Sequence, residues 1–292
     1  MGWRTVVDAY DVLRHVRSPL ELLKAALPGR WLRVHVLNAQ PAAGPAPAAT
    51  EVAVALRRLK NRLSGEALDA AGRVDYAALA GGEHEQALRA AAAQLHAVEP
   101  SALSSDEERI AFWLNTYNVL AIHGVIARGI TRSVMQIPTF FATTAYRVGP
   151  HVFTLDQIEN GVLRRNAGHP ASGRAPFAPG DPRLAYAPRR LEPRIHMALV
   201  CASASCPPVA FFTPEGLEDE LSRATAGYLQ AEVRVGAAEL ELPLVFRYYP
   251  EDFGDLRAFL LEHAPPALRD ELRGASDARV LFRRYDWSLN HV

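Results

Sequence analysis

Cys206 is the residue best placed in this sequence to form a covalent bond. It follows Ala202-Ser203-Ala204-Ser205 and precedes Pro207-Pro208, so small neighbours leave the thiol reachable while two prolines stiffen the backbone beyond it. The reactive species is the thiolate, and an adjacent imidazolium lowers the thiol pKa from its free value of about 8.5. His196 and His151 are the candidate bases, with Glu159, Asn115 or Asn118 to orient the ring in the manner of Cys-His-Asn and Cys-His-Asp enzymes. This set points to a cysteine-dependent hydrolase or acyl transferase. Zinc is a second chemistry, with His151, His196, Cys201 and Cys206 as donors. The spacing His-x4-Cys-x4-Cys is not a zinc pattern, so neither a metal nor a cofactor is expected. Cys-x4-Cys could also close a small disulfide loop, although it is not the Cys-x-x-Cys of dithiol catalysts. Against all three stands simple packing, with both thiols as small buried hydrophobes and His196 as a core histidine.

The elements that carry these residues can be read from capping and periodicity. Ser105-Asp106-Glu107-Glu108 is a capping box and Gly129 a stop. The helix between them is apolar nearly all round, which places it at the centre of a domain. Asn115 and Asn118 share one side of it and must find partners there, either by tying down loops or by orienting a catalytic group. Thr154-Leu155-Asp156-Gln157 is a second capping box, opening a helix to about Arg165. Glu159 falls in its apolar stripe, as an acid paired with Arg164 or Arg165 or as one with a raised pKa. Ile195–Val200 is an apolar run broken only by His196 and predicts a buried strand.

Residues 160–194 read as a proline-rich loop with seven arginines against Asp181 and Glu192. Arg164, Arg165, Arg183 and Arg194 are its candidate ligand-binding residues for an anion; the competing reading pairs them with the acidic 215–241 segment. Beyond it the pattern predicts a helix from Thr213-Pro214-Glu215 to about Gln230, a hairpin from Glu232–Val235 and Glu239–Leu242, a helix at Leu256–His263 and a strand near Val280–Arg283. Upstream lie a helical lead-in ending in an alternating strand (1–37), a Pro/Ala-rich linker (38–50), a basic amphipathic helix (51–63) and an Ala-rich helix (83–98). The expected class is α+β, a helix-rich single domain over 51–292 around a central buried helix and a small sheet.

Composition narrows the function classes. Of 292 residues 49% are hydrophobic and 22% charged, the balance of a globular protein. Lys+Arg and Asp+Glu are both 32, so no net field draws nucleic acid or anionic membrane. Asp8, Asp11 and Arg14 interrupt any signal-like run, Val6 breaks a myristoylation pattern, and no uninterrupted apolar run has membrane-spanning length, so a cytoplasmic location is expected. The partner is then an unknown small molecule or protein.

Ordered blocks carry a family resemblance. They are Phe112-Trp113-Leu114-Asn115-Thr116-Tyr117-Asn118, Leu155-Asp156-Gln157-Ile158-Glu159-Asn160, Asp181-Pro182-Arg183, Glu192-Pro193-Arg194-Ile195-His196, Ser205-Cys206-Pro207-Pro208, Tyr249-Pro250-Glu251-Asp252 and Tyr285-Asp286-Trp287. Together they resemble the domain-of-unknown-function 547 family over roughly residues 51–290. The resemblance implies a domain without assigning an activity. Many relatives have Gly-Gly-His where Gly149-Pro150-His151 stands, and His where Asn160 stands. Relatives that share the Asn include some fused to DEP and glutaredoxin-like modules. Those fusions imply the alternative to an enzyme, a non-enzymatic interaction or signalling domain.

Overall fold

A computed structural model describes residues 32–42, 67–69 and 72–292, with isolated positions at 16, 18, 20 and 23. The basic helix at 51–63 and most of the lead-in lie outside the described residues. From there the chain folds as α+β. Helix α1 (Glu83–Gln94) runs into a 3-10 turn ending at Ala97, and α2 (Asp106–Ala127) follows. The α2 capping box forms as its residues require: Ser105 Oγ accepts the Glu108 N–H at 3.1 Å and the Glu108 carboxylate accepts the Ser105 N–H at 3.2 Å. With Trp113, Leu114, Val119 and Ile122 fully buried, α2 is the core helix that its sequence predicts. It is long and apolar enough to cross a bilayer, and it lies instead inside the protein.

One three-stranded sheet packs against this helix. β1 (His35–Val36) runs parallel to β2 (Thr144–Val148), which pairs antiparallel with β3 (His151–Thr154). The β2–β3 turn has Gly149 at φ 54°, and a Cβ there would lie 2.4 Å from the Val98 carbonyl oxygen. A left-handed first residue followed by a proline has the φ signs of a type II′ hairpin, so Pro150 fits where relatives carry a second glycine. β1 ties the end of the lead-in to the sheet. Asn38 follows it, buried, and donates to the Ala92 and Arg147 carbonyls while accepting the Arg147 N–H.

A second sheet and core complete the molecule. β4 (Arg234–Val235) and β5 (Glu239–Pro243) form the expected hairpin, and β6 (Arg279–Arg283) joins β5 in parallel. Helices α3 (Leu217–Glu232), α4 (Leu256–His263) and α5 (Pro266–Gly274) enclose its apolar face around Leu229, Leu242 and Phe246.

Two segments differ from their sequence patterns. The predicted strand Ile195–Val200 is a 3-10 turn, Pro193–Met197, followed by irregular chain. Pro193 sets the first turn, Glu192 caps it by accepting the Arg194 N–H, and Asn118 takes the Val200 N–H that a sheet would have used. The helix after Thr154 starts with the expected reciprocal bonds between Thr154 and Gln157. It then widens to a π-helix over Gln157–Leu163, in which the Arg164 N–H donates to the Glu159 carbonyl. π-Helical turns inside helices are concentrated at functional sites.

Candidate functional site

A cleft of about 1340 Å³ is lined by Glu159, Arg164, His196, Cys201, Cys206 and Tyr285, among others. One end is the loop from Cys201 to Cys206. Its backbone is held by the C-terminal tail: the Ala204 N–H donates to Ser288 O at 2.7 Å, the Asn290 N–H to Ala202 O at 3.1 Å, and the Asp286 N–H to Ser205 Oγ at 2.8 Å. Between these contacts buried Ala202 sits at φ 67°, a left-handed conformation that costs a non-glycine residue on the order of 1–3 kcal/mol. The tail contacts over-determine the loop and keep that conformation in place.

The loop turns both sulfurs toward a shared pair of hydroxyls. Cys206 Sγ accepts the Cys201 N–H at 3.0 Å and lies 3.3 Å from both Ser203 Oγ and Tyr285 Oη. Cys201 Sγ lies 3.0 Å from Ser203 Oγ and 3.1 Å from Tyr285 Oη, and both cysteines are free and half-buried. One proton arrangement satisfies the group: Ser203 Oγ donates to Tyr285 Oη at 3.0 Å, Tyr285 donates to a Cys206 thiolate that also accepts the Cys201 amide, and the Cys201 thiol donates to Ser203 Oγ. The electrostatics agree with it. Burial alone would raise the Cys206 thiol, but the hydrogen bonds from Cys201, Ser203 and Tyr285 bring it down to about 6. Burial and the adjacent Cys206 sulfur hold the Cys201 thiol well above the usual range.

The other end of the cleft is ionic. Arg164 forms a bidentate pair with Asp252, through Nε to Oδ2 and from NH2 to Oδ1 at 2.8 Å, and its NH1 donates to Asn160 Oδ1 at 2.6 Å. Its guanidinium lies 4.5 Å from the Tyr249 ring centroid. His196 Nε2 donates to Asp252 Oδ2 at 2.8 Å while its ring stacks on Tyr249, with centroids 4.1 Å apart. Burial works against the Asp252 carboxylate, yet Arg164 and His196 hold it at about 2. Because Asp252 therefore accepts, the proton of that contact is on His196 Nε2. Glu159 accepts from the phenols of Tyr117, at 3.2 Å, and Tyr249. Asp156, a turn earlier, is pushed up from the ordinary carboxylate range mainly by burial, and accepts from Asn160 Nδ2 at 2.8 Å.

The sequence-predicted residues separate into several groups. Cys206, His196, Glu159 and Arg164 meet at the cleft. Glu159 is paired with two phenols rather than with Arg164 or Arg165, because the wider π-helical turn sends Arg164 to Asp252. Asn115 binds the Phe212 backbone through its N–H and C=O, and Asn118 binds Ala198 O, Ala210 O and the Val200 N–H. These two residues position the chain on either side of the cysteine loop. His151 stands on β3 against Phe153 and Tyr186, away from the residues lining the cleft. Arg165 is exposed. Arg183 pairs with Asp181 and lies over the Phe177 ring, and Arg194 pairs with Glu192 and Glu218, the acidic partner anticipated in the 215–241 segment. Among the described residues no three His, Cys, Asp or Glu side chains cluster as a metal site would require.

Sequence reasoning missed Asp252, Tyr249, Tyr117, Ser203 and Tyr285 as site residues. Tyr117 is hidden among the apolar residues of α2. Tyr249, Asp252 and Tyr285 come from short irregular segments with no periodicity to mark a direction. Their only signal was membership of blocks that looked familiar.

The family model for a protein of unknown function, DUF547, matches residues 100–229. The matched segment contains α2, the π-helix and the cysteine loop; Tyr249, Asp252 and Tyr285 fall beyond it. No curated protein and no solved structure matches the chain.

Proposed function

From the match to that family and the geometry of this cleft, we infer that the chain is a cysteine-dependent hydrolase or acyl transferase with Cys206 as nucleophile. The observation that carries the reading is the Cys206 sulfur, which lines a cleft while accepting the Cys201 amide and lying 3.3 Å from the Ser203 and Tyr285 hydroxyls. A thiol held only as packing has no use for such a set. In the reaction the Cys206 thiolate bonds to the carbonyl carbon of an ester, thioester or amide. The bond from that carbon to the leaving group breaks, and the leaving group departs with the Nδ1 proton of a doubly protonated His196, whose Nε2–H stays on Asp252 in the same cleft. Water or an acceptor nucleophile then takes the acyl group from sulfur and returns a proton to His196.

The alternative, a non-enzymatic interaction domain, drew on the basic 160–194 loop. Arg164, Arg183 and Arg194 are engaged by acids of the chain itself, while Arg165, Arg174, Arg189 and Arg190 of the same loop are exposed and keep charge on its surface.

Alkylation of the folded, phosphine-reduced protein against pH tests the reading. Cys206 is expected to label with a midpoint near 6. Incubation with p-nitrophenyl acetate is expected to leave one acetyl group on Cys206 by intact mass, absent in Cys206→Ala with unchanged melting. A midpoint near about 8.5, or labelling only on unfolding, would overturn it.

A further inference from the structure

The Cys201–Cys206 pair carries a second chemistry. We propose that it is a peroxide-oxidisable site, in which Cys206 is oxidised first and Cys201 resolves it to an intramolecular disulfide. Geometry supplies the reason. Cys206 Sγ sits 3.0 Å from the backbone nitrogen of Cys201, so a rotation of the Cys201 side chain brings its own sulfur alongside. The two sulfurs already share Ser203 Oγ and Tyr285 Oη as neighbours, which bounds their separation through common atoms at 3.0 to 3.3 Å. Both line the cleft, so a peroxide the size of a water pair has access. The two thiols also have opposite roles: Cys206 accepts the Cys201 amide and the Tyr285 hydroxyl hydrogen, and Cys201 remains the protonated partner.

The steps balance. The Cys206 thiolate attacks one oxygen of hydrogen peroxide and the O–O bond breaks. The second oxygen leaves as hydroxide and takes a proton to become water, with Ser203 and Tyr285 hydroxyls placed to donate to it. Cys206 is then a sulfenic acid, oxidised by two electrons. Cys201 loses its proton and attacks the Cys206 sulfur; the S–S bond forms, the S–O bond breaks and a second water leaves. An external dithiol supplies the two electrons that restore both thiols. The disulfide also removes the thiolate that the proposed acyl transfer uses, so oxidation switches off any such activity.

Trypsin leaves both cysteines in one peptide, Ile195 to Arg223, which makes the test direct. The full chain is treated with hydrogen peroxide, with and without dimedone, and that peptide is weighed. The expected result is a loss of two hydrogens, loss of alkylation at both cysteines, no dimedone adduct, and recovery with dithiothreitol. In Cys201→Ser the dimedone adduct appears on Cys206, and in Cys206→Ser neither adduct nor disulfide forms, with circular dichroism showing both variants folded. Thiols that stay alkylatable, or a chain that gives only intermolecular dimers, would overturn the proposal. It shares the Cys206 thiolate with the proposed nucleophile, and the outcomes separate. A disulfide without an acetyl-enzyme removes only the acyl-transfer reading, and an acetyl-enzyme without a disulfide removes only this one.

Discussion

The Asp252 carboxylate receives both a bidentate Arg164 and His196 Nε2–H, and all three side chains are almost fully buried. Removing one charge from such a group leaves the other without compensation. Asp252→Asn is therefore expected to destabilise the fold by roughly 3–5 kcal/mol in urea unfolding, by leaving the Arg164 guanidinium buried and unpaired. Asn118 makes a different kind of demand. It is fully buried, and its amide satisfies two carbonyls and one N–H on the segments flanking the cysteine loop. Asn118→Ala is expected to cost about 3 kcal/mol and to make the Cys206 alkylation midpoint rise, because the loop loses its support. A fall in stability with an unmoved midpoint would confine Asn118 to packing.

At the scale of elements, the π-helix controls which side chains face the cleft. Its extra residue per turn sends Glu159 to the tyrosines and Arg164 to Asp252, where an α-helix would turn them differently. Gly161 lets Phe177 close on this turn: a Cβ there would meet the ring at 2.4 Å, and the ring is held in place by burial and by Arg183 at 4.3 Å. Gly161→Ala is expected to cost about 1–3 kcal/mol by overpacking, read as a lowered melting temperature. Ser105→Ala removes an exposed-end cap of α2 and should cost only about 1 kcal/mol, with no change at Cys206. Sequence reading was sound where an element announces itself by caps and period: α2, the β4–β5 hairpin and α4 lie where their patterns put them. It failed at 195–200, where hydrophobicity reported burial correctly but not conformation. An apolar run is equally at home in a strand or in irregular chain whose amides are bound by a side chain, and Asn118 is that side chain.

For the molecule as a whole, two of the most buried titrating groups contribute to acid stability, beside His263 and carboxylates such as Asp181 whose pKa values are also lowered. Burial drives His123 from 6.5 down to about 4, so the folded state resists protonating it while the unfolded chain does not. The stability this group contributes is present above pH 6.5 and is lost as pH falls from there toward 4. Asp252 is held at about 2, below its unfolded value near 4; its contribution of roughly 2 kcal/mol is present above pH 4 and lost between there and pH 2. Urea midpoints against pH should therefore decline in two stages below neutrality. Replacing His123 by Gln, which does not titrate, should shrink the first stage and leave the second unchanged, the remainder of the first belonging to His263.

The α+β class, the central apolar helix and the cap residues are properties of local pattern, and the residues alone determined them. Periodicity reports which face is buried, and capping chemistry acts within a few residues, so neither needs the rest of the chain. Which groups meet is another matter. Tyr285 reaches the Cys206 sulfur from 79 positions away, and His196 is oriented by Asp252 across 56. His151, equally suitable by type, packs on β3 against Phe153 and Tyr186 and does not line the cleft. Only the tertiary structure decided these pairings, because hydrogen bonds and ion pairs depend on positions in space that sequence separation does not encode.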